Sequence, residues 1–527
     1  MTPPTASLPA STLRWLRPLL ASLFAVLTSA CASLPPAAPR TPSLALTDTA
    51  DTRLGRAAEA LRAPDPTLST FTPLARGSDA LVARMGLIEH AERSIDLQYY
   101  IWHRDDSGIR LSQRLKAAAA RGVRVRVLLD DIGTNLPDAQ LLALDAHPNI
   151  EVRLFNPVAW RITRNLGAVL DFARVNRRMH NKLMLADNQV VILGGRNIGN
   201  EYFEAHAEAD FGDLDVLAVG PVVRAASDDF DLYWNSPQVW PVNELTEPTN
   251  TTASVSPDSS QLPDAPADDA ELIRALLGSK AKFFQAPATL LVDHPSKITR
   301  SPSDTTGHLW PQLVPVIART QQELLLISPY FVPGENGVRF LSDMQARGVK
   351  ITILTNSLAA TDVSLVHSGY ARYREALLAA GIALWEVKPH KAPESPKESP
   401  KETPEGTPLR KALIGSTLRS SLHAKTYIFD QRELFIGSLN LDPRSTSLNT
   451  ENGVLIGSAD FAERMSRNVH KLLPASAYRL SLENGDLRWH EQLADGSKRI
   501  YDNEPETTAL RRIIIKMLGW LPIEEQL

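Results

Sequence analysis

The chain has a single cysteine, Cys31, in 527 residues. That excludes an intrachain disulfide, a paired-cysteine redox motif and a cysteine-ligated zinc site. Glycine (27) is scarcer than proline (38), so connections should be stiff rather than glycine-loose. A surplus of either charge is missing as well. The 56 Lys and Arg against 60 Asp and Glu leave a net charge of -4, with no global basic field to attract nucleic acid. Past the N-terminus no apolar run reaches the ~18 residues of a membrane-spanning helix. What is present, 43% hydrophobic and 22% charged residues, is the balance of a folded protein too long for one core.

The N-terminus accounts for the cysteine. Arg14 and Arg17 precede an apolar run over residues 19–27, short for a membrane span and suited to the core of a signal peptide. It ends in Leu27-Thr28-Ser29-Ala30-Cys31. Small residues before a cysteine resemble a bacterial lipobox, although Thr28 stands where leucine is commonest. Residues 1–31 therefore read as a lipoprotein signal peptide with Cys31 as the lipidation site; an ordinary secretory signal is the alternative. Residues 32–66, rich in Pro and Ala, read as a tether. The expected location is the bacterial cell envelope, as a membrane-anchored lipoprotein facing the periplasm.

The remainder repeats itself. A helical pattern over residues 78–92 leads into a strand pattern over 95–102; a helix over 109–120 stops at Arg121-Gly122, and 123–129 alternates as a strand. The second half has the same order: a strand over 324–331, a helix closing at Arg347-Gly348, and alternation over 349–354. The Arg-Gly markers lie 226 residues apart, too far for a solenoid, so the chain reads as two copies of one domain. Strand–helix–strand order implies parallel sheets covered by helices. The expected fold class is α/β, with two homologous lobes, each a mixed, mostly parallel sheet flanked by helices. The first lobe is expected over 67–245, a linker over 246–266, the second lobe over 267–485 and a C-terminal extension over 486–527. A Pro/Glu/Ser/Lys run over 390–408 reads as a solvated insertion in the second copy.

Both copies carry one motif. His180-Asn181-Lys182 is followed by Asp187 and then Gly194-Gly195-Arg196-Asn197. His423-Ala424-Lys425 is followed by Asp430 and then Gly437-Ser438-Leu439-Asn440. Both read HxKx4Dx6G[GS]xN. One HxK would be weak, because these residues are common on surfaces; two full copies inside a repeat are specific. The doubled motif resembles the phospholipase D superfamily over roughly residues 75–480. The resemblance implies phospholipase D-type lobes with one active site between them, so no dimer is needed to complete it.

The residue types suit metal-free phosphodiester exchange. One imidazole attacks phosphorus and the other protonates the leaving alcohol. Lys182 and Lys425 neutralise the phosphoryl oxygens, and Asn197 and Asn440 bind phosphate by hydrogen bonds. The family pattern makes His180 the nucleophile and His423 the acid, with a phosphohistidine intermediate; the reverse assignment stays open. By the same pattern Glu451 orients His180 and Asp213 orients His423, Asp215 competing with Asp213. Each HxK is expected on a strand, where alternate side chains share a face. Asp187 and Asp430, at odd offsets, are expected to close the turn as structural residues. A lysine two residues from each histidine would repel a cation, and no HExxH accompanies them, so neither metal nor cofactor is expected. Arg174, Arg177 and Arg178 crowd the first motif, either to meet lipid phosphate or to face solvent.

Within the superfamily, Gln98-Tyr99-Tyr100-Ile101-Trp102, residues 194–203, Asn440-Leu441-Asp442-Pro443-Arg444-Ser445 and the tail 518–524 are similar to bacterial cardiolipin synthases of the C type and lipoproteins close to them. Asn200 departs from that pattern, where Asp is expected. The resemblance implies membrane phospholipids as partners. Phosphatidylglycerol would be the acceptor, and phosphatidylglycerol or phosphatidylethanolamine the donor. It leaves room for an accessory protein and gives no role to nucleic acid. A hydrolytic phospholipase D releasing phosphatidic acid and a non-catalytic envelope interaction protein are the alternatives. Residues 511–521, basic and apolar with Trp520, fit either a bilayer interface or a helix docked on the core.

Overall fold

Nineteen strands in two sheets carry the chain in the computed structural model, which describes residues 34–36, 39–134, 136–161, 164–203, 212–246, 282–389, 422–520 and 524–526. Cys31 and the signal segment, the linker beyond 246 and the 390–408 insertion lie outside the described residues. The first sheet contains β1 (Ser69–Leu74), β2 (Ser94–Tyr99), β3 (Arg124–Asp130), β4 (Ile150–Phe155), β5 (Leu183–Ala186), β6 (Val190–Gly194), β7 (Asp215–Val219), β8 (Val239–Pro241) and β9 (Phe284–Ala286). The second contains β10 (Ala288–Val292), β11 (Glu323–Ile327), β12 (Lys350–Asn356), β13 (Ala383–Val387), β14 (Lys425–Phe429), β15 (Glu433–Gly437), β16 (Asn452–Ile456), β17 (Ala477–Glu483), β18 (Asp486–Gln492) and β19 (Lys498–Tyr501).

Seven strands of each sheet share one order. In the first, β4-β3-β2-β5-β6-β7-β1 matches β13-β12-β11-β14-β15-β16-β10 in the second, so the sequence repeat is a structural repeat. The sheets are mixed, but parallel pairing is confined to β2-β3-β4 and β11-β12-β13. This corrects the expectation of mostly parallel sheets. Helical crossovers join these neighbouring parallel strands, such as Asp106–Ala120 between β2 and β3. The motif strands β5-β6 and β14-β15 are hairpins, and a short turn permits only antiparallel pairing.

Alternation places the core. Leu183 and Leu185 of β5, and Val191 and Leu193 of β6, face inward to a core shared by both lobes, together with Leu434, Ile436 and Val454 of the second sheet. Their neighbours Met184, Ala186, Val190 and Ile192 face the first lobe's outer core. The inner faces of the two motif hairpins therefore pack against each other, β6 meeting β15 and β16. One continuous extended segment also ties the sheets together. β9 pairs with β1, and β10, just beyond Pro287, pairs with β16. Thus β9 belongs by hydrogen bonding to the first sheet, although it lies past residue 267. At the other end β18 and β19 extend the second sheet from β17, so residues beyond 485 are not a detached extension.

The expected tether is also shorter than 32–66. Thr52 caps helix Arg53–Leu61 by accepting from the Gly55 amide at 3.0 Å, and Leu54 and Ala58, four apart on one face, are buried. Arg126, paired with Asp96 at 2.6 Å, donates to the Ser43 carbonyl at 2.7 Å; Asp231 accepts from the Ala45 amide at 2.7 Å. The segment from Arg40 onward is thus docked along the first lobe, because its leucines and alanines complete an apolar face that proline-rich composition alone hid. Leu54→Ala is expected to destabilise the protein by about 2–5 kcal/mol, read as a lower urea midpoint; an unchanged midpoint would mean that the segment is detached.

Candidate active site

The two HxK segments do not lie within strands, contrary to expectation. His180 and Lys182 precede β5, and His423 precedes β14, which starts at Lys425. The reason is that the extended segment before each hairpin pairs with the opposite lobe. Residues Met179 and Thr450 form a bridge; the His180 amide donates to the Thr450 carbonyl at 2.8 Å, and the Thr450 amide to the Arg178 carbonyl at 2.9 Å. Asn452 Oδ1 accepts from the Lys182 amide at 3.1 Å. In the second motif the His423 amide donates to the Gly212 carbonyl at 2.6 Å.

Those pairings carry one carboxylate across to each imidazole. Glu451 Oε2 lies 2.8 Å from His180 Nδ1, and Asp213 Oδ2 lies 2.6 Å from His423 Nδ1. Asp215, the competing acid, is elsewhere, in a buried pair with Arg84 at 2.8 Å. Lys182 and Lys425 are buried, and each ammonium donates to the carbonyl of its own histidine. Asn197 Oδ1 accepts from the Ile101 amide at 3.1 Å, while its Nδ2 is buried without a partner, as is Asn440 Oδ1.

Asp187 and Asp430 point away from this cleft. Asp187, at φ 50°, accepts from the amides of Glu92, Arg93 and Ser94 at 2.7–3.0 Å. Asp430, at φ 52°, accepts from those of Gln321, Gln322 and Glu323 at 2.6–3.1 Å. Neither expectation for the arginine cluster describes Arg178. It is buried, with its Nε 2.9 Å from both oxygens of Asp130, and braces the loop carrying Met179. Arg174 pairs with Asp171 at 2.6 Å and with Asn156 at 2.6 Å, and Arg177 donates to the carbonyls of Ile298 and Arg300.

Several neighbours have no signal in the motif. Tyr100 and Tyr202 stand edge-on to His180 and His423, with ring centroids 5.0 and 5.2 Å apart. Asp293, paired with Lys297 at 2.9 Å, accepts from the Glu451 amide at 2.8 Å, and Lys297 donates to the Ser445 carbonyl at 3.0 Å. The second position of G[GS]xN had a readable difference between copies. Ser438 Oγ donates to Glu451 at 2.5 Å, whereas a side chain at Gly195 would put its Cβ 2.0 Å from Asp213 Oδ1. The shorter acid comes close to bare backbone, and the longer acid is met by a hydroxyl.

The electrostatics are asymmetric. Burial pushes Glu451 up to about 7. Burial, then Lys182, Lys425 and His423, pull His180 well below its ordinary value, which leaves this imidazole uncharged. At the other pair burial would raise Asp213, but His423 and Lys425 hold it well below the usual carboxylate range. His423 is lowered by burial and Lys425, with ionised Asp213 opposing them. Burial brings Lys425 down to about 8.

One cluster among the described residues has ligand-like spacing: His103, Asp105 and Glu201. Asp105 already accepts from the amides of Gly108 (3.0 Å) and Asn200 (2.7 Å), and His103 contacts Glu201 at 3.0 Å. A helix cap and an ion pair account for these contacts.

A duplicated mixed sheet with two imidazole–carboxylate pairs exchanged across its lobes defines a phospholipase D-type protein. Residues 85–234 and 313–473 match the family described as "Cardiolipin synthase, PLD-like domain". The chain is 40% identical over 488 residues to cardiolipin synthase C of Escherichia coli K12, covering 90% of this chain and 99% of that protein. It is 25% identical over 390 residues to cardiolipin synthase A of Pseudomonas fluorescens, 74% of this chain and 65% of that protein. The crystal structure of phosphatidylserine synthase from Haemophilus influenzae shares the fold, at a TM-score of 0.54 and 13% identity, covering 90% of this chain and all of that one. The chain belongs to the cardiolipin synthase, PLD-like family, within the phospholipase D superfamily.

Gly195→Ala is expected to push the Asp213 carboxylate off His423 and to lower turnover of a chromogenic phosphodiester about 100-fold. The melting transition should stay near wild type, and full activity would show that this contact does not position the acid.

Proposed function

We propose that the chain is a phosphatidyltransferase that makes cardiolipin, exchanging a phosphodiester between two membrane phospholipids through a phosphohistidine. The observation that carries the reading is the pair of imidazoles, each held through Nδ1 by the other lobe's carboxylate beside a buried lysine. A bond at Nδ1 fixes the tautomer and leaves Nε2 to react.

His180, uncharged, attacks phosphorus, and the diacylglycerol-bearing phosphoryl group passes to its Nε2. His423, beside ionised Asp213, gives its proton to the departing headgroup oxygen and then takes one from the acceptor hydroxyl as it attacks. Lys182 and Lys425 face the charge that develops on the phosphoryl oxygens. The unpartnered Nδ2 of Asn197 would find its acceptor there, since a buried unpaired donor costs about 1–3 kcal/mol. Asn440 occupies the matching position in the second lobe. Asp187 and Asp430 are structural, each tying a hairpin turn to the start of a parallel strand by three backbone amides. Glu451 and Asp213 orient the imidazoles. The likeness to cardiolipin synthase C over nearly its whole length supports transfer to a phosphatidylglycerol hydroxyl rather than to water. Phosphatidylglycerol or phosphatidylethanolamine is the donor. Attachment to the envelope through lipid on Cys31, with the fold on the periplasmic side, completes the reading.

With phosphatidylglycerol vesicles the expected products are cardiolipin and glycerol; phosphatidic acid alone would replace the transferase reading by hydrolysis. His180→Ala should lower turnover about a thousandfold or more and abolish an acid-quenched phosphohistidine. Full activity in that variant would refute the mechanism. The rate should also fall as pH rises past the lowered value of His423, whose proton the leaving oxygen takes, and again through about 8, where Lys425 loses its charge. On the acid side the fall should come below 6.5, because His180 takes up a proton only under its ordinary value. A pH–rate profile on a soluble phosphodiester reads both limbs.

A further inference from the structure

Exposed apolar side chains are unevenly placed on this protein. Among the described residues twelve large ones are exposed, and seven of these fall in two short segments. Val169, Leu170 and Phe172 belong to helices Arg164–Leu170 and Phe172–Val175, which lead into the His180 motif. Leu510, Ile513, Met517 and Trp520 belong to helix Ala509–Leu518 and the turn after it. Their spacing puts the last four on one stripe, while Ile515 faces the other way and is buried where the helix packs on Ser364–Ala371.

The C-terminal tail brings the two segments to one side of the molecule. Tyr373 and Arg372 donate to Glu524 at 2.7 and 3.0 Å, and Asn176 Nδ2 donates to Gln526 Oε1 at 2.8 Å. Asn176 directly follows helix Phe172–Val175 and lies four residues before His180. Six residues from Trp520 to Gln526 span at most about 20 Å. A hollow of about 610 Å³ beside the helix is lined by Arg372, Arg512, Lys516, Ile515, Trp520 and Glu504. Its single carboxylate, Glu504, is held by Arg374 at 2.7 Å.

We propose that this side is the surface that lies on an anionic phospholipid bilayer. The Leu510–Trp520 stripe and the Phe172 segment enter the headgroup–acyl boundary, and Arg512 and Lys516 meet lipid phosphates. An apolar stripe edged by basic residues and closed by a tryptophan has the composition of an interfacial helix. A second copy of the chain on the same stripe would oppose Arg512 and Lys516 with themselves, which disfavours that occupant. The proposal rests on phospholipid as substrate and adds the face by which the site reaches it.

The test uses the full chain on phosphatidylglycerol vesicles with brominated acyl chains, which quench nearby tryptophan. Trp520→Phe should remove the Trp520 share of the quenching and leave that of Trp160, which packs beside Gly167. Ile513→Glu/Met517→Glu should raise the half-saturating vesicle concentration about tenfold or more, while turnover of monomeric short-chain phosphatidylglycerol stays at wild type. Quenching undiminished by Trp520→Phe, or unchanged vesicle saturation, would overturn the surface. So would a dimer in sedimentation without lipid that the double variant dissolves. If His180→Ala kept full turnover while the vesicle results held, the catalytic reading would fall and the surface would stand.

Discussion

Two short contacts between imidazole and carboxylate, His180 with Glu451 and His423 with Asp213, are the constraint around which this molecule is built. Each joins one lobe to the other, and each is buried, so neither lobe alone presents an oriented imidazole. A buried charge is tolerated only when its remaining lone pairs and protons are satisfied. The surrounding structure does this for Glu451 Oε2 and for the backbone beside it, while Oε1 is left without a partner. Ser438 donates to Glu451, Asp293 holds the Glu451 backbone, and Lys297 neutralises Asp293 while gripping the Ser445 carbonyl. The shared apolar core beneath the two hairpins keeps the lobes in the register that these distances require.

The repeat is symmetric in topology and asymmetric in chemistry. One lobe offers a longer acid met by a serine hydroxyl, the other a shorter acid against glycine. The first pair is shifted toward neutral forms and the second toward an ionised carboxylate. A double-displacement reaction needs one histidine free of a proton and one able to supply it. Two positions per lobe, Ser438 and Glu451 against Gly195 and Asp213, provide that difference without altering the hairpins. The surface around the cleft is also uneven, with apolar and basic groups gathered where the C-terminal tail crosses to the His180 loop.

Much of the architecture was legible in local pattern. The strand–helix–strand order, the 226-residue offset and the doubled motif point to two α/β lobes of one family, because periodicity and motif spacing are short-range properties. Strand pairing across the motif was less legible. Parallel order follows from helical crossovers, but β5 and β6 are joined by a short turn, β7 returns after a longer connection, and the three run antiparallel. Composition misled at residues 40–66, where proline and alanine suggested a tether and Leu54 with Ala58 instead bury a helix face. Arg178 shows the same limit: nothing beside it in sequence announces Asp130, 48 positions away, which holds it in the interior.

The sequence by itself determined the family, the repeat and which side chains could do phosphodiester chemistry, because those follow from residue type and spacing. The tertiary structure decided which acid serves which imidazole, since Glu451 and His180 are 271 positions apart and meet only when both lobes close. It likewise decided that Asp215 is committed to Arg84, that Tyr100 and Tyr202 flank the imidazoles, and that the C-terminal helix buries Ile515 and exposes its stripe. Burial and long-range contact are properties of the folded whole, and it is burial that sets the charge states on which the chemistry of the two histidines depends.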